Sequence, residues 1–243
     1  MEAKRLGILS NLDAKFWLAQ RLVYGQHPLN SSMQASLSII QGEGYLTGQS
    51  FNTCAELIQS IQFTIERYHQ ADAQQNTSIA LRVFDLVQVW GGIMGRNPYV
   101  LGARKNKSSR QNSNGWISNY KRGISSATGQ KPGLAIEQFC KIPQIGISFA
   151  SKHLKFWGGF PILDTRVMML MGLKPSVKYA DYLLNLDELA RHLKLSRMQT
   201  EEALFAFSNV FFPNSELKVT SNINKKTINY VEATALQRLQ TNK

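Results

Sequence analysis

Apolar residues recur every three or four positions along most of the chain, a spacing that lines them up on one face of an α-helix. In the segment CAELIQSIQFTIERYHQ, for example, Leu57, Ile61 and Ile65 repeat along one such face. The same periodicity occurs in five further segments, which are residues 13–25, 78–90, 183–195, 196–212 and 230–239. The pattern therefore predicts an all-α fold.

Glycine and serine mark where several of these helices begin or end. Gly25 closes the first apolar stripe, the pair Gly91-Gly92 follows the third, and Ser196 opens the segment SRMQTEEALF. Glycine ends helices because it adopts the left-handed conformation at little cost. A serine side chain can accept a hydrogen bond from the free amides of a first turn. We expect helix ends at the glycines and a helix start at Ser196.

Two segments depart from the helical pattern. The stretch QASLSIIQGEGYL, residues 34–46, is the one candidate for a minor β element. The stretch from Asn97 to about Gly133 is rich in Ser, Asn, Gly and basic residues. Such a composition is typical of turns, so it predicts long loops with short helices.

Residues 134–173 hold the most informative pattern of the chain. A helix is predicted over 134–141 and another over 148–157, with Pro143 and Gly146 in the turn between them. Gly146 can take a positive φ and lets another chain approach closely. Amides at a helix start converge on one point and can hold an anion, so the pattern predicts a phosphate-binding hairpin. The turn residues predicted to contact DNA are Gln144, Ile145, Gly146 and Ile147.

An acidic residue follows this hairpin at the start of a third predicted helix, Thr165–Met171. Gly158-Gly159 end the second helix, and Asp164 stands at the N-cap position of the third. Free amides and the helix dipole at that position favour an ionised carboxylate. Beside a DNA-binding hairpin, such a carboxylate can stabilise positive charge on a sugar as its base departs, or activate a water. The alternative is that Asp164 only caps the helix.

The net charge of +12 is concentrated in the centre of the chain. Between Asp85 and Asp164 there are eleven Lys and Arg residues against one acidic residue, Glu137. A basic block of this kind suits a polyanion, because each neutralised phosphate releases counterions. The alternative is a basic, solubilising surface. The cations singled out as candidate phosphate contacts are Arg104, Lys105, Lys155 and Arg166.

Several classes of protein and of site are not expected. No stretch approaches the ~20 apolar residues of a membrane span, and the N-terminus lacks the features of a secretory signal, so cytoplasmic residence is expected. Cys54 and Cys140 form no CxxC pattern, and His153 is interpreted as a surface or packing residue. We therefore expect no metal and no small-molecule cofactor.

A base turned out of a duplex needs an aromatic or apolar face to stack on and polar groups for its edge. The residues singled out for such a pocket are Trp90, Arg96, Trp116 and Trp157. The alternative for each tryptophan is a place in the core.

Two of these stretches carry a resemblance to a known family. Residues 143–150, PQIGISFA, resemble the hairpin of the helix-hairpin-helix DNA glycosylase superfamily. Residues 160–164, FPILD, are similar to the segment that bears its catalytic aspartate, above all in adenine-mismatch glycosylases. Residues 151–167 are similar to bacterial proteins with an 8-oxoguanine-glycosylase-like fold. The resemblance spans residues 134–173 of the 243.

The resemblance implies a glycosylase-like unit of two helical lobes over residues 1–243, with double-stranded DNA and a flipped base in the cleft between the lobes. Asp164 matches the catalytic aspartate. Ser148 stands where bifunctional members have a lysine, which implies that water is the nucleophile. Gln144 departs from the family pattern, because a glycine is usual there.

Alternatives to a monofunctional glycosylase stay open at this stage. Lys152 lies one turn beyond Ser148 and could form the Schiff base of a bifunctional glycosylase/lyase. The chain could instead be a non-catalytic helix-hairpin-helix protein that binds DNA, or an interaction subunit of a repair or phage-defence assembly.

Overall fold

The computed structural model describes residues 6–7, 9–72, 74–92, 113–174 and 176–211. Within these ranges the chain forms ten α-helices and no β-strand, so the fold is all-α. The helices are α1 Ala14–Gly25, α2 Ser31–Gly42, α3 Cys54–Gln70, α4 Asn76–Gly91, α5 Ser113–Thr128, α6 Pro132–Cys140, α7 Ile147–Gly158, α8 Thr165–Met171, α9 Tyr179–Leu193 and α10 Arg197–Phe211. None of them is both long and apolar enough to span a bilayer.

The chain divides into two compact units. We call Gly25–Ile162 the hairpin unit, because it contains α6 and α7. We call Met1–Tyr24 together with Leu163–Lys243 the Asp164 unit.

Helix α4 is the central element of the hairpin unit. Residues 83–90 are buried without interruption, so this helix has no solvent-facing side over two turns, as expected of a core helix. Helices α2, α3 and α7 all pack against it, and α5 packs against α6 and α7. The hairpin helix α7 thereby packs against the best-buried helix of the unit.

The prediction of a minor β element at residues 34–46 is wrong, because α2 covers most of that segment. Met33, Ser36 and Ile40 are buried at spacings of three and four residues, which is a helical period. The Asn30 side chain accepts a hydrogen bond from the Met33 amide at 2.9 Å and caps the helix. The buried residues of this segment therefore follow a helical period and not the period of two of a strand.

The prediction of loops with short helices from Asn97 to Gly133 is wrong for the part that the structure describes. Residues 113–128 form α5, a helix of 16 residues. A Cβ at Gly123 would lie 2.3 Å from Phe139 Cε1, so this glycine allows α5 and α6 to pack closely. Gly123, one of the small residues that suggested a loop, serves helix packing instead.

Helix boundaries in the Asp164 unit follow local capping. Ser196 Oγ accepts a hydrogen bond from the Gln199 amide at 3.2 Å, and Gln199 Oε1 accepts one from the Ser196 amide at 2.9 Å. This reciprocal pair is a capping box, and it confirms Ser196 as the cap of α10. Trp17 and Phe207 pack edge to face with ring centroids 5.4 Å apart in the core of this unit. The helix predicted over 230–239 lies outside the described residues.

Candidate nucleic-acid interface and catalytic carboxylate

The predicted pair of helices with a short turn is confirmed, although the first helix begins at Pro132 and the second at Ile147. Residues 141–146 connect them. The Ile145 amide donates to the Ile142 carbonyl at 3.1 Å and closes a β-turn. Pro143 is its second residue and Gln144, with φ of 72°, its third. Proline followed by a residue of positive φ is the signature of a type II turn.

Gly146 can take a positive φ, as the sequence indicates, but it does not do so in the structure. Gly146 has φ −79° and ψ 171°, which is ordinary extended backbone, and it is the N-cap residue of α7. The left-handed residue is Gln144, two positions earlier, because the turn closes at Ile145 and demands positive φ at its third residue. This is the position where the resembled family has glycine.

Neither a positive φ nor close packing requires the glycine at position 146, which is an N-cap, a position where glycine is common. Its φ suits any residue, and a Cβ built there would meet nothing within 4 Å. Among the described residues, no side chain caps the amides of the first turn of α7, and no acidic residue lies in that turn. Free amides and the positive end of the helix dipole attract anions. The glycine leaves the approach to these amides open.

The predicted contact residues of the turn differ in exposure. Gln144, Gly146 and Ile147 are exposed, whereas Ile145 is only 4% exposed. Ile145 therefore anchors the turn in the core, and only its backbone remains for contact with a ligand.

Replacing Gln144 with glycine is expected to raise the free energy of unfolding by about 0.5–1 kcal/mol. A non-glycine residue in the left-handed region costs about 1–2 kcal/mol, of which the greater freedom of unfolded glycine offsets part. Urea denaturation measures the change. Gln130→Gly is the matched control, since Gln130 is also exposed with a positive φ, 58°, in the same unit. Destabilisation by Gln144→Gly alone would show that the Gln144 side chain holds the turn.

Asp164 is the N-cap of α8, and the predicted helix bounds are confirmed. Its Oδ1 accepts hydrogen bonds from the Arg166 amide at 2.8 Å and the Val167 amide at 3.4 Å. Both bonds use one oxygen, so the cap leaves Oδ2 for other partners. The side chain is half-buried. Asp164 is thus held in one orientation by its own helix.

The charge of Asp164 affects the pKa of a buried tyrosine in the same unit. Burial raises the pKa of Tyr182 well above its usual range, and the negative charges of Glu201 and Asp164 add to the effect. Glu201 is itself only 2% exposed. Among the described residues, no group of three or more His, Cys, Asp and Glu side chains could hold a metal ion.

Cations of α7 pack on the aromatic residues around α4. Lys152 Nζ donates to the Gly91 carbonyl at 3.1 Å and lies 4.2 Å from the centroid of the Phe149 ring. Lys155 Nζ lies 5.9 Å from the centroid of the Trp90 ring. Ser148, in the first turn of α7, is half-buried, as is Arg166 in the Asp164 unit. Arg96, Arg104 and Lys105 lie outside the described residues.

The three tryptophans singled out for a base pocket belong to the core of the hairpin unit. Trp90 is 7% exposed, Trp116 9% and Trp157 5%. Their ring partners are Phe156 for Trp90, Phe84 for Trp116, and Tyr68 and Tyr120 for Trp157. The alternative of a core position is therefore the one that the structure supports.

A buried chain of hydrogen bonds connects α4, α5 and α7, and the sequence patterns did not indicate it. Gln88 Nε2 lies 3.0 Å from His153 Nε2. An amide nitrogen only donates, so His153 Nε2 accepts and Nδ1 carries the ring proton. Nδ1 then donates to Tyr120 Oη at 3.2 Å, and Trp157 Nε1 donates to the same hydroxyl at 3.0 Å. His153 is a packing residue, as predicted.

The hairpin unit is expected to lose stability on mild acidification because of His153. Burial, aided by the positive charge of Lys152, lowers the pKa of His153 from 6.5 to about 3. The unfolded chain therefore takes up a proton more readily than the folded chain. The stability that neutral His153 contributes to the fold is complete above pH 6.5 and is lost as pH falls towards 3. The loss between pH 7 and pH 5 is about 2 kcal/mol.

Urea denaturation at pH 7 and pH 5 measures this loss. We expect a clearly smaller difference for His153→Gln than for the wild type. His69→Gln, which changes an exposed histidine of α3, is the matched control and should keep the wild-type difference. An equal pH dependence in all three proteins would contradict the assignment of a neutral, buried His153.

Comparison of the chain with models of protein families, with curated proteins and with solved structures found no match.

Proposed function

We propose that this protein is a monofunctional DNA glycosylase that grips duplex DNA with its α6–α7 hairpin and hydrolyses an N-glycosidic bond with the help of Asp164. The observation that carries the proposal is the uncapped N-terminus of α7. Its N-cap is a glycine that neither a positive φ nor close packing requires, its first turn has no acidic residue, and no described atom fills the space over position 146. An anion such as a backbone phosphate can accept hydrogen bonds from the free amides at this helix end.

The charge of the surrounding chain supports a nucleic acid as the source of that phosphate. The hairpin from Pro132 to Gly158 contains Lys141, Lys152 and Lys155 against the single carboxylate of Glu137. Amides bind the phosphate itself, while the cations supply the sequence-independent attraction for the duplex.

Asp164 supplies the chemistry in this proposal. As the base leaves C1′ of the deoxyribose, the bonding electron pair departs with the base nitrogen, and positive charge develops on the sugar. An ionised carboxylate stabilises that charge or takes a proton from the water whose oxygen bonds to C1′. The two amides at Oδ1 and the N-terminal end of α8 hold the Asp164 carboxylate in place by hydrogen bonds.

Water is the proposed nucleophile, because neither alternative side chain suits attack on the sugar. Among the residues that the structure describes, no base is hydrogen-bonded to the Ser148 hydroxyl; the Ser148 carbonyl accepts from Ser151 Oγ at 2.8 Å. The Lys152 ammonium is engaged by the Gly91 carbonyl and the Phe149 ring. The proposed products are therefore a free base and an intact strand with an abasic site.

A second candidate is a duplex-binding protein without base release. The observation that favours it is the capping role of Asp164, which by itself explains an aspartate at this position. Both candidates share the hairpin, and they differ only in whether a base is released.

The proposal is tested by incubating the wild-type protein with labelled duplexes that each carry one damaged or modified base. Free base is detected by chromatography, and abasic sites by strand scission in hot alkali. The proposal predicts scission only after alkali, together with release of one particular class of base. Tight, salt-dependent binding without base release from any duplex would favour the second candidate. Absence of duplex binding would refute both.

A further inference from the structure

Lys152 joins the hairpin helix to the end of the central helix. It lies in the second turn of α7, and its Nζ donates to the carbonyl of Gly91, the last residue of α4. The C-terminal carbonyls of a helix lack partners within the helix, and a lysine that donates to one also complements the negative end of the dipole. Lys152 is therefore a cap supplied to α4 by α7.

The junction around this cap is tightly packed. A Cβ at Gly91 would lie 2.6 Å from Phe149 Cε1 and 3.2 Å from Lys152 Cδ. Gly92 turns the chain at φ 68°, and a Cβ there would lie 2.7 Å from Ser32 Oγ of α2. Phe149 belongs to the first turn of α7, so this turn rests directly on the C-terminal end of α4.

The surroundings of Lys152 suit an ammonium rather than a free amine. A carbonyl oxygen accepts its hydrogen bond, and the face of the Phe149 ring lies 4.2 Å away, which is a cation–π contact. A lysine that forms a Schiff base attacks as the neutral amine with its lone pair exposed. The environment thus favours the form that holds two helices together over the form that reacts.

We propose that Lys152 is a positioning residue, which fixes the first turn of α7 on the C-terminal end of α4 and thereby orients the hairpin amides towards phosphate. The DNA part of this inference rests on the proposed function. A lysine at this position could have two other roles, which are direct contact with a phosphate and covalent attack on the sugar.

The experiment compares the wild type with Lys152→Met and Lys152→Arg on an unmodified duplex, at several salt concentrations and at a temperature where all variants are folded. Lys152→Met keeps the packing of the stem but removes the donor, and we expect duplex affinity to fall roughly fivefold at every salt concentration. Lys152→Arg retains a donor and should remain within about twofold of the wild type. Lys141→Met is the matched control, because it removes one charge from an exposed hairpin lysine.

Three results would overturn the inference. A salt slope that falls by about 0.9 in Lys152→Met would show a direct phosphate contact. A covalent adduct with an abasic duplex, trapped by borohydride in the wild type and lost in Lys152→Met, would show a nucleophile. Equal affinity losses in Lys152→Met and Lys141→Met would show an effect of net charge only.

Failure of the proposed function gives a different result. If the wild type binds no duplex, the proposed function falls and the positioning role falls with it. The α4 cap is then judged by urea denaturation alone, in which Lys152→Met should lower the unfolding midpoint and Lys152→Arg should keep it. If the wild type binds duplex and only the Lys152 variants behave otherwise than expected, the positioning role is wrong and the proposed function stands.

Discussion

Replacing Asp164 with asparagine is expected to reduce the rate of base release at least about 100-fold, because the neutral amide neither stabilises a positively charged sugar nor accepts a proton from water. Folding should change little. Asparagine caps helices about as well as aspartate, so the free energy of unfolding should fall by less than about 1 kcal/mol. Single-turnover base release on the substrate duplex, with protein in excess, measures the effect on chemistry separately from binding.

Asp13→Asn is the matched control for this variant. Asp13 precedes α1 in the same unit, and its Oδ1 accepts a hydrogen bond from the Phe16 amide at 3.1 Å, so it too is an aspartate at a helix start. It should retain wild-type base release. Equal rates of base release for Asp164→Asn and the wild type would show that Asp164 is only a helix cap.

Replacing Gly146 with alanine is expected to weaken duplex binding by at least about tenfold, which corresponds to roughly 1.4 kcal/mol. The added methyl group would occupy the open space over the N-terminus of α7, where a phosphate oxygen has to approach the amides. The folded backbone accommodates the methyl group, because φ of Gly146 is −79° and no atom of the described residues lies within 4 Å of an added Cβ. Fluorescence anisotropy with a labelled duplex measures the affinity.

Gly133→Ala is the control for this variant. Gly133 lies in the first turn of α6, the other hairpin helix, and a Cβ there also meets nothing within 4 Å. We expect its affinity to match that of the wild type. An unchanged affinity in Gly146→Ala, with both variants folded, would show that DNA does not approach the start of α7.

Features that depend on neighbouring residues in the chain could be predicted from the sequence. The apolar stripe of α3, the hairpin of α6 and α7, the capping residue Ser196 and the start of α8 at Asp164 all follow from periodicity and helix-end chemistry within a few residues. These elements match the structure to within about two residues, which is the usual uncertainty of a helix boundary.

Features that depend on tertiary packing could not be predicted from the sequence. Gly123 looks like a loop residue in the sequence, and only its contact with Phe139 shows that it allows two helices to approach. Gln88 and His153 are bonded to each other but lie 65 positions apart in the chain, so no local pattern joins them. The positive φ at Gln144 is local, since it follows from how the turn closes, but a glutamine in the sequence does not indicate it. Glycine at position 146 suggested both a positive φ and a close approach by another chain, and the structure has ordinary φ with an open approach.

The most direct test is to run the wild type, Asp164→Asn and Asp13→Asn side by side on the panel of modified duplexes, with and without hot alkali. We predict alkali-dependent scission at one class of base for the wild type and Asp13→Asn, and its loss in Asp164→Asn. Scission by Asp164→Asn at the wild-type rate, or duplex binding by the wild type without release of any base, would contradict the assignment of a glycosylase that uses Asp164.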